Sequence, residues 1–329
     1  MRIILFIFSY LFLFSQTISK EDPIVLMYHK FGENKYPSTS IKTATFISHL
    51  EYLKNQEFNV LPLSRLIDYF YLDSPLPRNS IFITIDDGYK SVFDVAFPLL
   101  KKYNFPFSVF ISPETISSSK NSDFMSWSML KTLSKNNVEI NNHTIDHSNL
   151  VQIDIVEIEE KIKQTNEIIY EKLRQKSKIF SYPYGESSNQ VEEIVKGLGF
   201  KLAFGQQSGP LNKKLNRYRL PRFSINEKYG DIDRFKFITS LMALEVFDVV
   251  PDDTLINEDL NYLRFSTKHP IEKINCYHSN GIKLKKKMMV PNRVEIKFLE
   301  PLIKGRNRIN CTYKDSKNNT YWFGKLLII

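Results

Sequence analysis

The chain has 329 residues, 42% of them hydrophobic and 25% charged, a balance that excludes an intrinsically disordered protein and suits one large domain with a smaller companion. Its formal charge of +9 is unevenly placed: residues 270–329 hold thirteen Lys and Arg against four acidic residues, which accounts for the whole excess. Residues 1–269 are neutral, so two units with different surfaces are expected, and no nucleic-acid partner.

Behind Arg2, residues 3–14 are almost wholly apolar, and Thr17 and Ser19 then supply small side chains. Residues 1–19 read as a signal peptide, which sends the chain to the periplasm, the cell envelope or the medium. The apolar run is shorter than the roughly 20 residues a bilayer span needs, and no later segment is long enough. No transmembrane span is therefore expected after signal cleavage.

From Pro23 onward, β-like apolar runs alternate with helical patterns. Strands are predicted at 24–28, 58–61, 81–85, 107–111, 138–140, 179–182 and 201–204. Helices are predicted near 43–56, 64–72, 89–103, 126–136, 150–176, 188–198 and 230–243. The longest carries Ile155, Ile158, Ile162, Ile169 and Leu173 mostly along one face. Strict β–α alternation implies a parallel sheet, and seven repeats point to an α/β fold, a distorted, incomplete (β/α)7 barrel over residues 20–248.

After about residue 250 the pattern changes. Short runs at 271–277, 288–291, 294–299, 308–313 and 321–329 are separated by turn formers such as Ser279-Asn280-Gly281. They predict a small all-β, sandwich-like domain over 249–329. Cys276 and Cys311, the only cysteines, lie in strand-like runs of an exported chain, so a disulfide across the sandwich is expected. The basic surface of this module suits an anionic envelope component.

Polar groups collect just after the predicted strand ends, where barrels and open α/β sheets build their sites. The run IFITIDDGYK leaves the third strand with adjacent carboxylates, Asp86 and Asp87. Burying such a pair is costly unless each is paired or binds a metal. NNHTIDH follows the fifth strand and sets His143 and His147 four residues apart, a spacing that on a helical turn brings both imidazoles to one side. SYPYG, residues 181–185, follows the sixth strand, and His29 follows the first in LMYHK. His49, His269 and His278 have no such placement and read as structural or surface residues. One carboxylate with two imidazoles leaves open positions on a divalent ion, as catalytic metal sites do, and the second carboxylate then stays ionised beside it.

TIDDG, residues 84–88, and HTIDH, residues 143–147, resemble the first two motifs of the polysaccharide deacetylases, carbohydrate esterase family 4. The resemblance covers roughly residues 23–245. It implies Asp86 as general base and Asp87, His143 and His147 as metal ligands. Two features depart from the usual pattern. Ser181 stands at the position of an arginine in the third motif, and no histidine occurs between 148 and 268 to serve as the C-terminal catalytic one. Exported poly-N-acetylglucosamine deacetylases look similar in both respects. By that likeness His29 becomes the general acid, and Pro183 and Tyr184 belong to the substrate side, with the Tyr184 backbone N–H facing the oxyanion. Either Arg219 or Arg222, in RYRLPRF, is expected to orient the base.

The reading is a metal-dependent hydrolase removing N-acetyl groups from the amino sugars of an acetylated glycan. Zinc is the default ion, and Co2+, Ni2+ and Fe2+ suit the same ligands. Two rivals use the same residues: an O-acetyl glycan esterase, and a non-catalytic glycan-binding protein on a degenerate barrel.

Overall fold

The computed structural model describes residues 22–33, 35–117, 123–290 and 292–329, so the expected signal peptide over 1–19 lies outside the described residues. Strand β1 (Ile24–Tyr28) is buried at every position and is followed by the short parallel pair β2 (Lys30–Phe31) and β3 (Ser40–Ile41). Then come β4 (Asn59–Val60), β5 (Ser80–Ile85), β6 (Ser108–Ile111), β7 (Glu139–Asn142), β8 (Ile179–Ser181), β9 (Leu202–Phe204) and β10 (Phe223–Ser224). They form one parallel sheet in the order β10-β1-β5-β6-β7-β8-β9, with β4 added beside the start of β5. The sheet curls into an incomplete barrel, and an isolated parallel bridge from Phe204 to Leu220 ties β9 to the stretch just before β10.

Side chains alternate across a strand, and that alternation sorts the core into two layers. Ile24, Leu26, Tyr28, Ile81, Ile83 and Ile85 pack outward with Phe46, Leu50 and Leu53 of the helix Thr43–Asn55. Val25 and Phe82 point the other way and join Phe110, Phe204 and Leu220 inside the curl. Both faces are covered, which is why these strands read as continuous apolar runs.

The long helix runs from Ile155 to Leu173, shorter than the span suggested by periodicity alone. The Asp154 side chain caps its start by accepting from Val156 N–H at 2.9 Å, and Arg174 ends it in the left-handed conformation at φ 57°. Ile158, Ile162 and Ile169 are buried as expected, whereas Ile155, in the first turn, is left 40% exposed. The expected helix at 89–103 divides into a π-helical stretch, Val92–Ala96, and an α-helix, Phe97–Lys102.

The remaining strands are β11 (Met242–Ala243), β12 (Val246–Val250), β13 (Tyr262–Thr267), β14 (Asn275–His278), β15 (Leu284–Val290), β16 (Arg293–Phe298), β17 (Arg306–Lys314) and β18 (Thr320–Ile328). They make two four-stranded sheets, β11-β18-β17-β14 and β12-β13-β16-β15, around a core that includes Leu263, Phe265, Val294, Ile296 and Ile309. The first of these strands precede residue 249, the expected start of the module. Cys276 and Cys311 are bonded, but they are directly opposed on neighbouring strands β14 and β17. The bridge therefore staples one sheet and does not cross the sandwich.

In β17 the odd-numbered residues from Asn307 to Tyr313 are buried, and on the other side Arg306 and Asn310 reach the barrel. Asn310 Oδ1 accepts from Ser208 Oγ at 2.9 Å, and the Trp322 indole N–H donates to Ser208 O and Oγ. A Cβ at Gly324 would lie 2.1 Å from Ser208 O, so only glycine allows this approach. Among the described residues no helix is long and apolar enough to cross a membrane.

Candidate active site

The site is built at the carboxyl ends of β1, β5, β7 and β8. Alternation along β5 sends Phe82 and Thr84 inward, and Asp86 continues on that side, fully buried. The chain then turns through Asp87 and Gly88, both left-handed at φ 73° and 74°. A Cβ at Gly88 would sit 3.0 Å from Ile116 Cδ1 and 3.1 Å from Ile111 Cγ2, so glycine is favoured twice over. This turn aims the two neighbouring carboxylates at different partners.

Asp86 meets Arg222, whose side chain is also fully buried. The guanidinium grips it bidentately, Nη1 to Oδ1 at 2.7 Å and Nη2 to Oδ2 at 2.8 Å. Arg222 also donates to Thr84 Oγ1, Ser181 Oγ and Gly205 O, which leaves no donor idle in a dry setting. Burial alone raises the Asp86 pKa, but Arg222, then His143 and His29, outweigh it and hold the carboxyl below its ordinary range. Arg219 is elsewhere. It pairs with Glu192 and donates to Asn189 and the Asp252 carbonyl, so the expectation naming either arginine resolves to Arg222 beside Asp86. Ser181, at the family's arginine position, contributes its hydroxyl to the same cluster.

Asp87 faces His143 and His147, with Oδ1 3.4 Å from one Nε2 and 3.3 Å from the other. The three ligand atoms all lie within 4.8 Å of one another. His143 is 1% exposed, and its Nδ1 is 2.7 Å from the Ser181 carbonyl. A carbonyl can only accept, so Nδ1 carries a proton and Nε2 is the atom that faces Asp87. The expectation of a helical turn at 143–147 is not met. The segment is an irregular loop in which Thr144 and His147 are left-handed at φ 65° and 62°. Asn142 Oδ1 holds the bend by accepting from Thr144 N–H at 2.9 Å. The imidazoles still converge, by loop geometry in place of helical spacing.

The donor set fits a divalent cation. Asp87 Oδ1 is buried and accepts no hydrogen bond, a costly state for a carboxylate oxygen unless a cation faces it. Burial would raise the Asp87 pKa, yet the two imidazoles and His29 hold it well below the ordinary range. Burial lowers the His147 pKa, but contact with the Asp87 carboxylate wins and raises it. Two imidazoles and one carboxylate suit zinc and its first-row neighbours.

His29 is half-buried at the end of β1, within electrostatic reach of both aspartates. Pro183 is buried, and Tyr184 adopts φ 59° and stands 41% exposed with its ring 4.6 Å from that of His147. Two further features were not anticipated. Burial, and then the nearby Asp87 carboxylate, push up the pKa of Tyr89. Its ring stacks on Phe124 at 4.7 Å to form one wall of the mouth. The loop carrying Tyr184 is also braced from outside the barrel: Arg306 of β17 donates to Tyr184 O at 3.2 Å and pairs with Glu186 at 3.5 Å. Glu186 accepts in turn from Asn149, two residues past His147, at 2.8 Å.

The structural relatives agree with this architecture. A Streptococcus pyogenes deacetylase, PplD, solved with acetate, superposes with a TM-score of 0.61 at 18% identity over 66% of this chain and 98% of its own. IcaB from Ammonifex degensii gives 0.56 at 24% identity over 67% and 97%. In sequence, a poly-beta-1,6-N-acetyl-D-glucosamine N-deacetylase of Staphylococcus aureus is 25% identical over 199 residues, 57% of this chain and 68% of that protein. A putative polysaccharide deacetylase of Bacillus subtilis is 21% identical over 202 residues, 61% and 71%. Residues 73–203, which include both aspartates, both converging histidines and Tyr184, match the polysaccharide deacetylase family model.

Proposed function

We propose that this chain is an exported, metal-dependent hydrolase that removes N-acetyl groups from N-acetylated amino sugars of a glycan. The observation that carries the reading is the orphaned, buried Asp87 Oδ1 set between two imidazole Nε2 atoms, beside a second aspartate kept ionised by Arg222. The similarity to a poly-beta-1,6-N-acetyl-D-glucosamine N-deacetylase supports an amide of N-acetylglucosamine as the bond cleaved.

Asp87, His143 and His147 would hold the ion, with zinc favoured and cobalt, nickel or iron compatible. When bound, such an ion acts as a Lewis acid and lowers the pKa of a water towards about 7. Asp86 takes the proton of the attacking water on a carboxylate oxygen, and Arg222 fixes that carboxylate in place and in its charged form. The Tyr184 backbone N–H donates to the developing oxyanion from a turn made rigid by Pro183, a kind of contact worth roughly 3–4 kcal/mol. His29 gives its proton to the departing amine nitrogen, without which an amide is a poor leaving group.

A division into a signal peptide at 1–19, a catalytic barrel at 20–248 and a basic β-module at 249–329 accompanies this reading. The disulfide supports export, since such bonds persist in oxidising compartments. The test is acetate release by metal-loaded protein from poly-N-acetylglucosamine, chitooligosaccharides, peptidoglycan and an O-acetylated glycan. Release from an N-acetylated polymer, lost in Asp86→Asn at unchanged metal content, is expected. Release from the O-acetylated glycan alone, or from none of them, would overturn the proposal.

A further inference from the structure

Two side chains on the less buried side of β17 have partners in the barrel. Arg306 holds Tyr184 O and Glu186, and Asn310 meets Ser208. Arg308 lies between them, half-buried, and its guanidinium makes no hydrogen bond or ion pair among the described residues. Burial pushes its pKa down, and the like charge of Arg306 adds to that, but a guanidinium keeps its proton under any ordinary condition. The nearby carboxylate of Glu186 is already taken by Arg306 and by Asn149. A partly dehydrated cation whose nearest carboxylate is shared with other partners costs stability, and an incoming anion would offset that cost.

The location says which anion. Arg308 has Glu186 and Tyr229 within electrostatic reach. Glu186 follows the Tyr184 turn at the end of β8, and Tyr229 lies in the loop after β10, 40% exposed. Arg308 thus sits on the rim of the catalytic mouth, outside the ring of reacting groups. A sugar neighbouring the one whose amide is cleaved would pass over this rim.

We infer that Arg308 forms an anion subsite on the catalytic rim, with Tyr229 beside it, that holds a carboxylate or phosphate carried by a sugar next to the one deacetylated. The planar fork of donors matches either oxyanion bidentately. The inference rests on the deacetylase reading and narrows its substrate to glycans bearing acidic substituents.

The experiment compares kcat/KM for acetate release from three oligosaccharides: a neutral N-acetylglucosamine hexamer, an oligomer alternating N-acetylglucosamine with glucuronic acid, and a phosphorylated N-acetylglucosamine oligomer. Wild type, Arg308→Gln and Arg308→Lys are assayed at matched metal content. Loss of one charge-assisted hydrogen-bonded contact is expected to lower kcat/KM about 10-fold or more on at least one anionic oligomer, through KM, and to leave the neutral hexamer unchanged. Arg308→Lys should fall between the other two proteins. Whichever anionic oligomer responds identifies the substituent. Equal effects of Arg308→Gln on neutral and anionic oligomers, or no effect on any, would overturn the subsite while leaving the deacetylase reading intact. Binding of the same oligomers to Asp86→Asn protein, measured by calorimetry with and without Arg308→Gln, gives a readout independent of turnover. An anion preference missing there would also overturn it.

Discussion

Replacing Arg222 by Met would separate charge from packing at the heart of the site. Arg222 makes five hydrogen bonds, to Asp86 Oδ1 and Oδ2, Thr84, Ser181 and Gly205, and both partners of the ion pair are fully buried. Methionine fills much of the same volume but leaves Asp86 ionised and alone, a change that costs about 3–5 kcal/mol in buried pairs. The cost depends on pH. In the wild type the Asp86 pKa lies below its unfolded value of about 3.9, so its contribution is present above that value and is lost as pH falls through the folded one. In the variant, burial acts without the guanidinium and moves the pKa above the unfolded value, so the penalty is largest at high pH and is relieved once the carboxyl protonates. Denaturant unfolding in the presence of a chelator, followed by circular dichroism, should show a larger loss at about pH 8 than at about pH 4. The acid limb of the pH–rate profile should also move upward, because a protonated Asp86 accepts nothing. A stability loss equal at both pH values would mean that Arg222 acts by packing, and the ion-pair argument would fall.

Alanine at Asp87, His143 or His147 should abolish activity and lower bound metal by elemental analysis; full occupancy in all three would remove the ligand assignment. His29→Ala should keep its metal and lose far more kcat on an amide than on an activated ester, whose leaving group needs no proton; equal losses would assign His29 to structure or binding. Reduction of the Cys276–Cys311 bond, which closes a separation of 35 residues, should destabilise the β-module by roughly 3–4 kcal/mol on the chain-entropy account, visible as a lower transition midpoint for that unit. Two free thiols in protein purified from its native source would refute the pairing.

Much of the barrel was legible because its strands are buried on both faces and therefore announce themselves as apolar runs, as in 24–28 and 81–85. β10 has only two residues, too few to show a period, and β12 and β13 lie where half-exposed strands mix apolar and polar side chains without a continuous run. The aspartate pair could be located from the run that precedes it. The histidine spacing pointed to residues that do converge, but through the wrong conformation, since a left-handed bend at Thr144 and His147 can bring i and i+4 together as well as a helix can. Arg219 and Arg222 could not be told apart, because which one turns inward depends on how the chain enters the two-residue strand β10. In β17 the alternation in RNRINC separates a buried face from an open one, but what the open face meets is a tertiary fact.

The contact of Gly324 with Ser208 O has a mechanical meaning for turnover. Backbone pressed on backbone, with Trp322 and Asn310 bonded to the same serine, cannot slide without stripping those bonds. The β-module is thus no hinged lid but a fixed jaw along the β8–β9 side of the mouth. A cross-link between module and barrel should therefore leave turnover unchanged.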